Sequence, residues 1–447
     1  MKVFIDYVIL DKKMINGGIF MNQNIHHLLE FIQKSPSCFH VIENVKKQLY
    51  ASGFQELSEK EHWNLEKGNR YFVTRNDSSI LAFHIPEKEF QGFHLIASHS
   101  DAPTFRVKEH PEMNVEKHYT KLNIEKYGGM IPETWFDRPL SVAGRVIVEG
   151  NGKLQTRLIN IDRDLLMIPN LAIHMTRSAG KKEFNPQVDL LPLFGGNLKE
   201  GTLLKLLAEE TNVSKENILS YDLFLYNRMA GTVLGAEEEY IASPKLDDLE
   251  CAFSSVQAFL HAKSEDYITM CCIFDNEEVG SGTKQGAGST FLPEVLKRIC
   301  HVMGKTEEEY LMAIADSFML SADNGHAVHP NYTDKTDPSN RPYLNEGIVL
   351  KFNAAQKYTT DAQSAAVVKY LCKKENIKFQ TFFNRSDMPG GSTLGNILTG
   401  QVSMRSADIG LPQLAMHSAY EMAGSKDLDD MIKLMTAFYS VRKEVDF

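Results

Sequence analysis

The stretch from Phe274 to Ser289, FDNEEVGSGTKQGAGS, combines neighbouring carboxylates with several glycines. Such a stretch is typical either of a loop that binds phosphate or of the acidic edge of a metal site. A P-loop needs the order G-x-x-x-x-G-K-S/T, whereas Lys284 here follows a threonine and precedes a glutamine. From Gly280 onward the glycines are spaced G-x-G-x-x-x-G, which does not match the dinucleotide-binding fingerprint. The spacing therefore favours a metal site.

Other residues that could bind a metal are spread along the chain. They are His99, Asp101, Asp247, Asp275, Glu277, Glu278, Asp323, His326, His329 and His417. Histidine nitrogen and carboxylate oxygen, without thiolate, form the ligand set of hydrolytic zinc or manganese sites. Two metal ions that share a carboxylate would explain why so many acids gather with few basic residues to neutralise them. Taken singly, each residue could also be a buried structural histidine or part of a solvated acidic loop.

Most of these candidates follow predicted strands. HLIASHSD (94–101), YITMCCIFDNEE (267–278), SFMLSADNGH (317–326) and FQTFFNRSD (379–387) are apolar runs whose last residues are polar. Helical patterns separate them, so we predict an α/β fold with a mixed, largely parallel sheet sandwiched by helices. In such sheets ligands bind beyond the carboxyl ends of the strands. We therefore expect the candidates to converge there.

Residues 105–242 have a different pattern. The run RVIVEGNGKLQTRLINI has two alternating segments around Gly150-Asn151-Gly152, which predicts a β-hairpin. The helix–strand alternation fades over the rest of this segment. At 447 residues the chain exceeds the size of a single core. We predict a β-rich domain of residues 105–242 inserted into an α/β domain of residues 21–104 and 243–447, with residues 1–20 as an N-terminal extension.

Composition excludes several classes of function. Hydrophobic residues make up 43% of the chain and charged residues 24%, which is typical of a globular protein. The net charge of −10 disfavours nucleic acid and anionic membranes as partners. No apolar run approaches the roughly 20 residues that span a bilayer, and the N-terminus lacks a secretory pattern. Six scattered cysteines indicate a reducing, cytoplasmic setting.

The motifs of the chain resemble those of the aspartyl aminopeptidase family of two-zinc metallopeptidases. In the family's order they are ASHSDAPTFRVK, YGGMIPETWFDRPLSVAGRV, IPNLAIHM, SPKLDDLECAFSS, DNEEVGSGTKQGAGS, SADNGHAVHPNY, NRSDMPGGSTLG and PQLAMHSAYEM. They extend from residue 97 to residue 422. The resemblance implies the zinc peptidase fold, an inserted dimerisation domain and a metallo-aminopeptidase that removes N-terminal residues from peptides.

The resemblance also implies the ligands of two zinc ions per subunit, with Mn²⁺ or Co²⁺ as substitutes. His99 and Asp323 would hold one ion, Glu278 and His417 would hold the other, and Asp247 would bridge them. Related peptidases have a cis peptide bond after the bridging aspartate, so we expect one after Asp247. The family usually has asparagine at the next position, where this chain has aspartate.

Three further roles follow from the resemblance. Glu277 would be the general base for attack by a hydroxide bound to the two zinc ions, and Asp101 would orient His99. His174 matches a histidine that stabilises the oxyanion in the active site of a neighbouring subunit. The family assembles dimers through the insert and combines six dimers into a dodecamer, so we expect a homododecamer.

The family name reflects a preference for N-terminal aspartate or glutamate, which requires a cation in the side-chain pocket. Eukaryotic members have a lysine at the position of Ala355, and the nearest cation here is Lys357. The residues expected to line the pocket are Lys357, Tyr358, Asp387, Gly390, Gly391 and Ser392. The alternatives are an aminopeptidase of broader or neutral specificity, a related two-metal amidohydrolase such as a deacylase, and a non-catalytic protein on the same fold.

Overall fold

The computed structural model describes residues 23–175 and 183–442, so the predicted extension of residues 1–20 lies outside the described residues. The helices are α1 (Gln23–Gln33), α2 (Cys38–Ala51), α3 (Pro186–Asp189), α4 (Thr202–Thr211), α5 (Leu246–His261), α6 (Phe291–Val302), α7 (Glu307–Ala315), α8 (Ala362–Glu375), α9 (Leu394–Gln401) and α10 (Asp427–Tyr439). Within these described ranges, none of the helices has the length and apolar character needed to cross a membrane.

The strands form three sheets. They are β1 (Gln55–Leu57), β2 (Arg70–Arg75), β3 (Ser79–His84), β4 (Phe93–His99), β5 (Thr104–Val115), β6 (Tyr119–Tyr127), β7 (Leu140–Gly150), β8 (Lys153–Asn160), β9 (Leu193–Gly195), β10 (Ile218–Asn227), β11 (Thr232–Leu234), β12 (Tyr240–Ser243), β13 (Ile268–Phe274), β14 (Phe318–Ala322), β15 (Gly325–His326), β16 (Ile348–Phe352), β17 (Phe379–Phe383), β18 (Arg405–Gly410), β19 (Pro412–Leu414) and β20 (Glu421–Gly424).

The largest sheet has nine strands in the order β1-β2-β3-β13-β4-β14-β18-β16-β17. Most neighbouring pairs are parallel, and β2-β3, β3-β13 and β16-β18 are antiparallel. Helices α1, α2, α5, α8 and α10 contribute to the apolar core on one side, and α6, α7 and α9 contribute to a separate core on the other. The predicted mixed, largely parallel sheet sandwiched by helices is confirmed.

Three neighbouring strands at the centre of this sheet position the candidate ligands. β13, β4 and β14 are mutually parallel, and every residue in them is buried. Because both faces of these strands are covered, they are mostly apolar, and the carboxylates of this region lie beyond the strand ends. His99 is the last residue of β4, Asp323 directly follows β14, and Glu277 follows β13 by three positions. Their carboxyl ends therefore bring these residues to one edge of the sheet.

A second, six-stranded sheet has the order β8-β7-β10-β5-β6-β9 and is built between residues 104 and 227. The predicted hairpin is observed between β7 and β8, where Gly150 pairs with Lys153. Asn151 and Gly152 both have positive φ, 54° and 70°, as a two-residue turn of this kind requires. β11 and β12 instead belong to a five-stranded sheet in which β12 pairs with β20. The division of the chain into domains stays a prediction.

Candidate metal centre

The predicted metal ligands lie together at the carboxyl edge of the nine-stranded sheet. Ligand atoms come within 4.8 Å of one another in three overlapping groups. The groups are His99, Asp247, Asp248 and Asp323; His99, Glu277 and Glu278; and Asp247, Glu278 and His417. Residues from five separate segments of the chain therefore converge on one site, and each of the five ligands that the family resemblance implied belongs to at least one group.

Asp247 lies between the two histidines. Its Oδ1 is 3.7 Å from His99 Nε2, and its Oδ2 is 3.4 Å from His417 Nε2. His417 Nε2 is also 3.5 Å from Glu278 Oε2. The predicted cis peptide bond between Asp247 and Asp248 is confirmed. One carboxylate thus faces a different histidine with each of its oxygens.

The chemistry of this cluster fits bound cations. Asp247 Oδ1, Asp248 Oδ1 and Glu278 Oε1 are buried and have no hydrogen-bond partner among the described residues. Burial and the charge of Asp247 raise the pKa of Glu278 well above its usual value, and burial raises the pKa of Asp323 to about 6. Gathering acids in a site with little access to water is unfavourable unless positive charge compensates them. A zinc ion accepts ligands of this type.

Lys351, near the end of β16, places a positive charge against the acidic cluster. Its Nζ donates to the carbonyl oxygen of Asn324 at 2.7 Å and lies 3.8 Å from Asp323 Oδ1. Burial alone would lower the pKa of Lys351, but the charge of Asp323 raises it above its usual value. The lysine therefore stays charged and offsets part of the negative charge on one side of the cluster.

Asp101 connects His99 to the segment that carries the two glutamates. Its Oδ1 accepts from the backbone N–H of Glu277 at 3.1 Å, and its Oδ2 accepts from that of Glu278 at 3.2 Å. His99 Nδ1 lies 3.0 Å from the carbonyl oxygen of Asp101 and 3.4 Å from its Oδ1. A hydrogen bond from Nδ1 directs Nε2 toward the cluster, which is the arrangement of a metal-binding histidine.

Glu277 lies beside the cluster at the start of the short 3₁₀ helix Glu277–Val279. Burial, together with the charges of Asp323 and Asp101, raises the pKa of its carboxyl group to about 8. A carboxyl group with a pKa near neutrality can both accept and donate a proton at physiological pH. The position and the pKa of Glu277 therefore suit an exchange of protons at the edge of the site.

Sequence reasoning missed Glu421. This buried carboxylate accepts from the backbone N–H of Asp247 through Oε2 at 3.1 Å and from that of His417 through Oε1 at 2.7 Å. It therefore fixes two of the clustered residues that come from distant parts of the chain. The available signal was its place four residues after His417 in PQLAMHSAYEM, but the spacing does not reveal the contact with Asp247.

The predicted pocket residues lie in the loops after β16 and β17. Lys357 Nζ donates to the carbonyl oxygen of Gly390 at 2.8 Å, which joins the two loops. Tyr358 is buried, and its ring lies 5.5 Å from Lys351 Nζ. Asp387 is exposed and paired with Arg385 at 2.7 Å. The remaining predicted residues precede α9, where Ser392 Oγ donates to Asn396 and a Cβ added at Gly391 would meet no atom within 4 Å.

The other histidines considered as ligands lie elsewhere. The three ligand groups, which cover only the described residues, contain neither His326 nor His329, and Asn331 donates its backbone N–H to His329 Nδ1. They do not contain His174 either, which lies on the exposed 3₁₀ helix Ile173–Met175. Ile173 and Met175 are each 73% exposed. His174 is therefore presented on an apolar part of the surface.

The chain is similar to known proteins both in sequence and in fold. The family profile described as "Aminopeptidase I zinc metalloprotease (M18)" matches residues 31–439. A "Probable M18 family aminopeptidase 2" from Clostridium acetobutylicum is 46% identical over 423 residues, which cover 93% of this chain and 98% of that protein.

Two solved structures have the same fold. One chain in the "Cryo-EM structure of the Ape4 and Nbr1 complex" is 39% identical and superimposes with a TM-score of 0.90 over 93% of this chain and 85% of that chain. The S. cerevisiae mApe1 dodecamer has a chain that is 26% identical, with a TM-score of 0.83, 93% coverage of this chain and 96% of that chain.

Proposed function

Because the chain belongs to the M18 family of zinc metallo-aminopeptidases, we propose that it removes N-terminal aspartate or glutamate from peptides at a centre that holds two zinc ions. The recognition made from the sequence motifs is confirmed at the level of this family. The number of metal ions, the residue roles and the acidic preference are the parts that we propose.

The observation that carries the two-metal proposal is the position of Asp247. It belongs both to the ligand group that contains His99 and Asp323 and to the group that contains Glu278 and His417. A carboxylate shared in this way is the usual bridge of a two-metal hydrolytic site. We therefore assign His99 and Asp323 to one ion, Glu278 and His417 to the other, and Asp247 to both.

The side chains around this centre would divide the reaction between them. Bound zinc supplies Lewis acidity, which polarises the peptide carbonyl and makes water more acidic. The carboxylate of Glu277 accepts a proton from the attacking water and returns it to the nitrogen of the leaving amine. Asp101 holds the backbone of Glu277 in place and directs His99. The acidic walls of the site attract the free amine of the substrate, so cleavage is restricted to the N-terminal residue.

We propose an oligomer, a homododecamer of dimers that associate through the six-stranded sheet. In support, Ile173 and Met175 expose apolar surface beside His174, and a structurally similar protein is described as a dodecamer. His174 would then stabilise the oxyanion in the site of a neighbouring subunit. We also retain a cytoplasmic location as part of the proposal.

The acidic preference depends on Lys357. Its ammonium group, held against the carbonyl oxygen of Gly390, would pair with the side-chain carboxylate of the substrate. A neutral or broader preference is the second candidate, because that same contact with Gly390 already uses one donor of the ammonium group. The two candidates differ only in which N-terminal residues are cleaved fastest.

An assay with p-nitroanilides of aspartate, glutamate and leucine tests the proposal, with their N-acylated forms as the matched control. We expect the free amines to be cleaved, aspartate or glutamate fastest, and the acylated forms to be stable. Incubation with a chelator should abolish cleavage, and added zinc should restore it. Cleavage of the acylated forms alone would identify a deacylase instead, and a higher kcat/KM for leucine would reject the acidic preference.

A further inference from the structure

We propose that Tyr127, carried by the six-stranded sheet, is a positioning residue that fixes Asp101 and, through it, Glu277 and His99. The proposal deepens the proposed function and rests on it, because the residues that Tyr127 acts on are those assigned to the reaction. It assigns to the six-stranded sheet a part in building the centre of its own chain.

The first support is the contact itself. The Tyr127 hydroxyl donates to Asp101 Oδ2 at 2.7 Å. Tyr127 is the last residue of β6, and its ring packs edge-on against Phe224 of β10, with ring centroids 5.5 Å apart. The ring is therefore held by the six-stranded sheet while its hydroxyl reaches the edge of the nine-stranded sheet. Asp101 then has three hydrogen-bond donors, namely this hydroxyl and the backbone N–H groups of Glu277 and Glu278.

The second support is the direction of the hydrogen bonds around Asn276. Its Oδ1 accepts from Thr283 Oγ1 and from Gln285 Nε2, both at 2.8 Å. Its Nδ2 must therefore face the other way, where it donates to the Tyr127 hydroxyl at 2.7 Å. Since that hydroxyl oxygen is already an acceptor, its proton is directed at Asp101. The chain of hydrogen bonds runs in one direction, from the Thr283 loop to the carboxylate that holds Glu277.

The third support is the close approach of the backbone after Tyr127. Gly128 has a φ of +79°, and a Cβ added there would lie 3.1 Å from Glu278 Cβ and 3.3 Å from its carbonyl oxygen. A Cβ added at Gly129 would lie 3.7 Å from His417 Nδ1. Gly128 and Gly129, which follow Tyr127 directly, therefore pack against two of the proposed metal ligands. Only glycine at position 128 allows this contact without strain.

These contacts explain how a residue that does not touch the substrate could affect the reaction. A carboxylate that orients a ligand or a general base works only when its own orientation is fixed. Without the Tyr127 hydroxyl, Asp101 would retain two backbone donors but could rotate away from His99. The expected consequence is a slower chemical step and weaker retention of metal, with substrate binding little changed.

The test compares the full-length, zinc-loaded protein with its Tyr127→Phe variant. We expect kcat to fall about tenfold with KM within about twofold, and zinc affinity, measured by competition with a chromophoric chelator, to fall about tenfold. Tyr221→Phe is the matched control, because this tyrosine lies in the same sheet and its hydroxyl donates at 2.8 Å to the carbonyl oxygen of Lys108. The control should retain the wild-type kcat, KM and zinc affinity.

A double-mutant cycle shows whether Tyr127 acts through Asp101. In an Asp101→Asn background, Tyr127→Phe should reduce kcat and zinc affinity little further. A full additional loss would overturn the proposal, as would a Tyr127→Phe variant that matches Tyr221→Phe in both measurements. A rise in KM at constant kcat would also overturn it, because it would indicate a role in binding substrate.

Two further measurements apply if the variant does not fold or if the wild type is inactive. If Tyr127→Phe does not fold, the double variant Thr283→Val with Gln285→Met replaces it, since it removes both side-chain donors that orient the Asn276 amide at the start of the hydrogen-bond chain. A fall in kcat at constant KM would support the proposal, and an unchanged kcat would overturn it. If the wild type cleaves none of the aminopeptidase substrates, the proposed function fails, but the zinc competition still decides whether Tyr127 positions the centre.

Discussion

The candidate metal centre and the surface around His174 are opposite in polarity. At the centre, carboxylates such as Asp247 and Glu278 are buried with oxygens that lack a partner among the described residues. Around His174, apolar side chains are exposed, with its chain neighbours Ile173 and Met175 each at 73%. Buried acids are stable when cations compensate them, and exposed apolar clusters typically mark surfaces that bind protein. The folded chain is therefore expected to bind cations at the first region and another protein surface at the second.

The largest effect is expected from a change at Glu277, beside the buried acids of the candidate centre. Glu277→Gln keeps the shape of the side chain but removes the proton acceptor, so we expect kcat to fall about 10²- to 10⁴-fold while the zinc content is unchanged. Steady-state kinetics and metal analysis measure the two effects. Glu308→Gln, on the exposed part of α7, is the control and should behave like the wild type. A kcat within twofold of the wild type would remove Glu277 as the base.

A change at Glu421 tests whether its hydrogen bonds position Asp247 and His417 for metal binding. Glu421→Gln should lower zinc affinity about 10- to 100-fold, because an amide nitrogen would replace one of the two oxygens that accept from Asp247 and His417. Competition with a chelator measures this change. Asp427→Asn is a matched control, since Asp427 is another buried carboxylate that accepts two backbone N–H groups, from Asn345 and Gly347. It should reduce stability but leave zinc affinity unchanged, and equal losses of affinity in both variants would contradict a specific role.

The exposed apolar surface beside His174 is expected to contribute to subunit association. Ile173→Asp should weaken subunit association about 30-fold, because burial of an isoleucine contributes about 2 kcal/mol. Light scattering across a dilution series measures the association, and activity should fall with it if His174 acts in a neighbouring site. Leu311→Asp is the control, because Leu311 is also exposed, at 54%, but lies on α7. An Ile173→Asp variant with wild-type assembly would show that this surface does not bind another subunit.

Lys357 carries the smallest expected effect. Lys357→Met should reduce kcat/KM for aspartyl relative to leucyl p-nitroanilide about tenfold, which corresponds to one charged hydrogen bond of about 1.5 kcal/mol. Lys374→Met, at an exposed position of α8, controls for the general change in charge. An unchanged ratio of the two kcat/KM values would show that groups other than Lys357 select the substrate. It would leave the contrast between the buried acids and the exposed surface beside His174 as it stands.

Local sequence patterns predicted much of the fold because they depend on near neighbours. The apolar runs before His99, Glu277 and Asp323 form β4, β13 and β14, since continuous burial requires apolar residues on both faces of a strand. The hairpin at Asn151-Gly152 followed from turn chemistry in the same way. The pairing of β12 with β20 was not predicted, because those strands are short and far apart in the chain.

The sequence by itself determined which chemical groups could form the centre and that they would meet at one edge of a sheet. Only the tertiary structure decided which groups support them, because a hydrogen bond between distant segments leaves no periodic trace in the chain. Glu421 and Asp247 are 174 positions apart, and Asn276 and Tyr127 are 149 apart. Their contacts depend on how the sheets and loops pack, which spacing along the sequence does not encode.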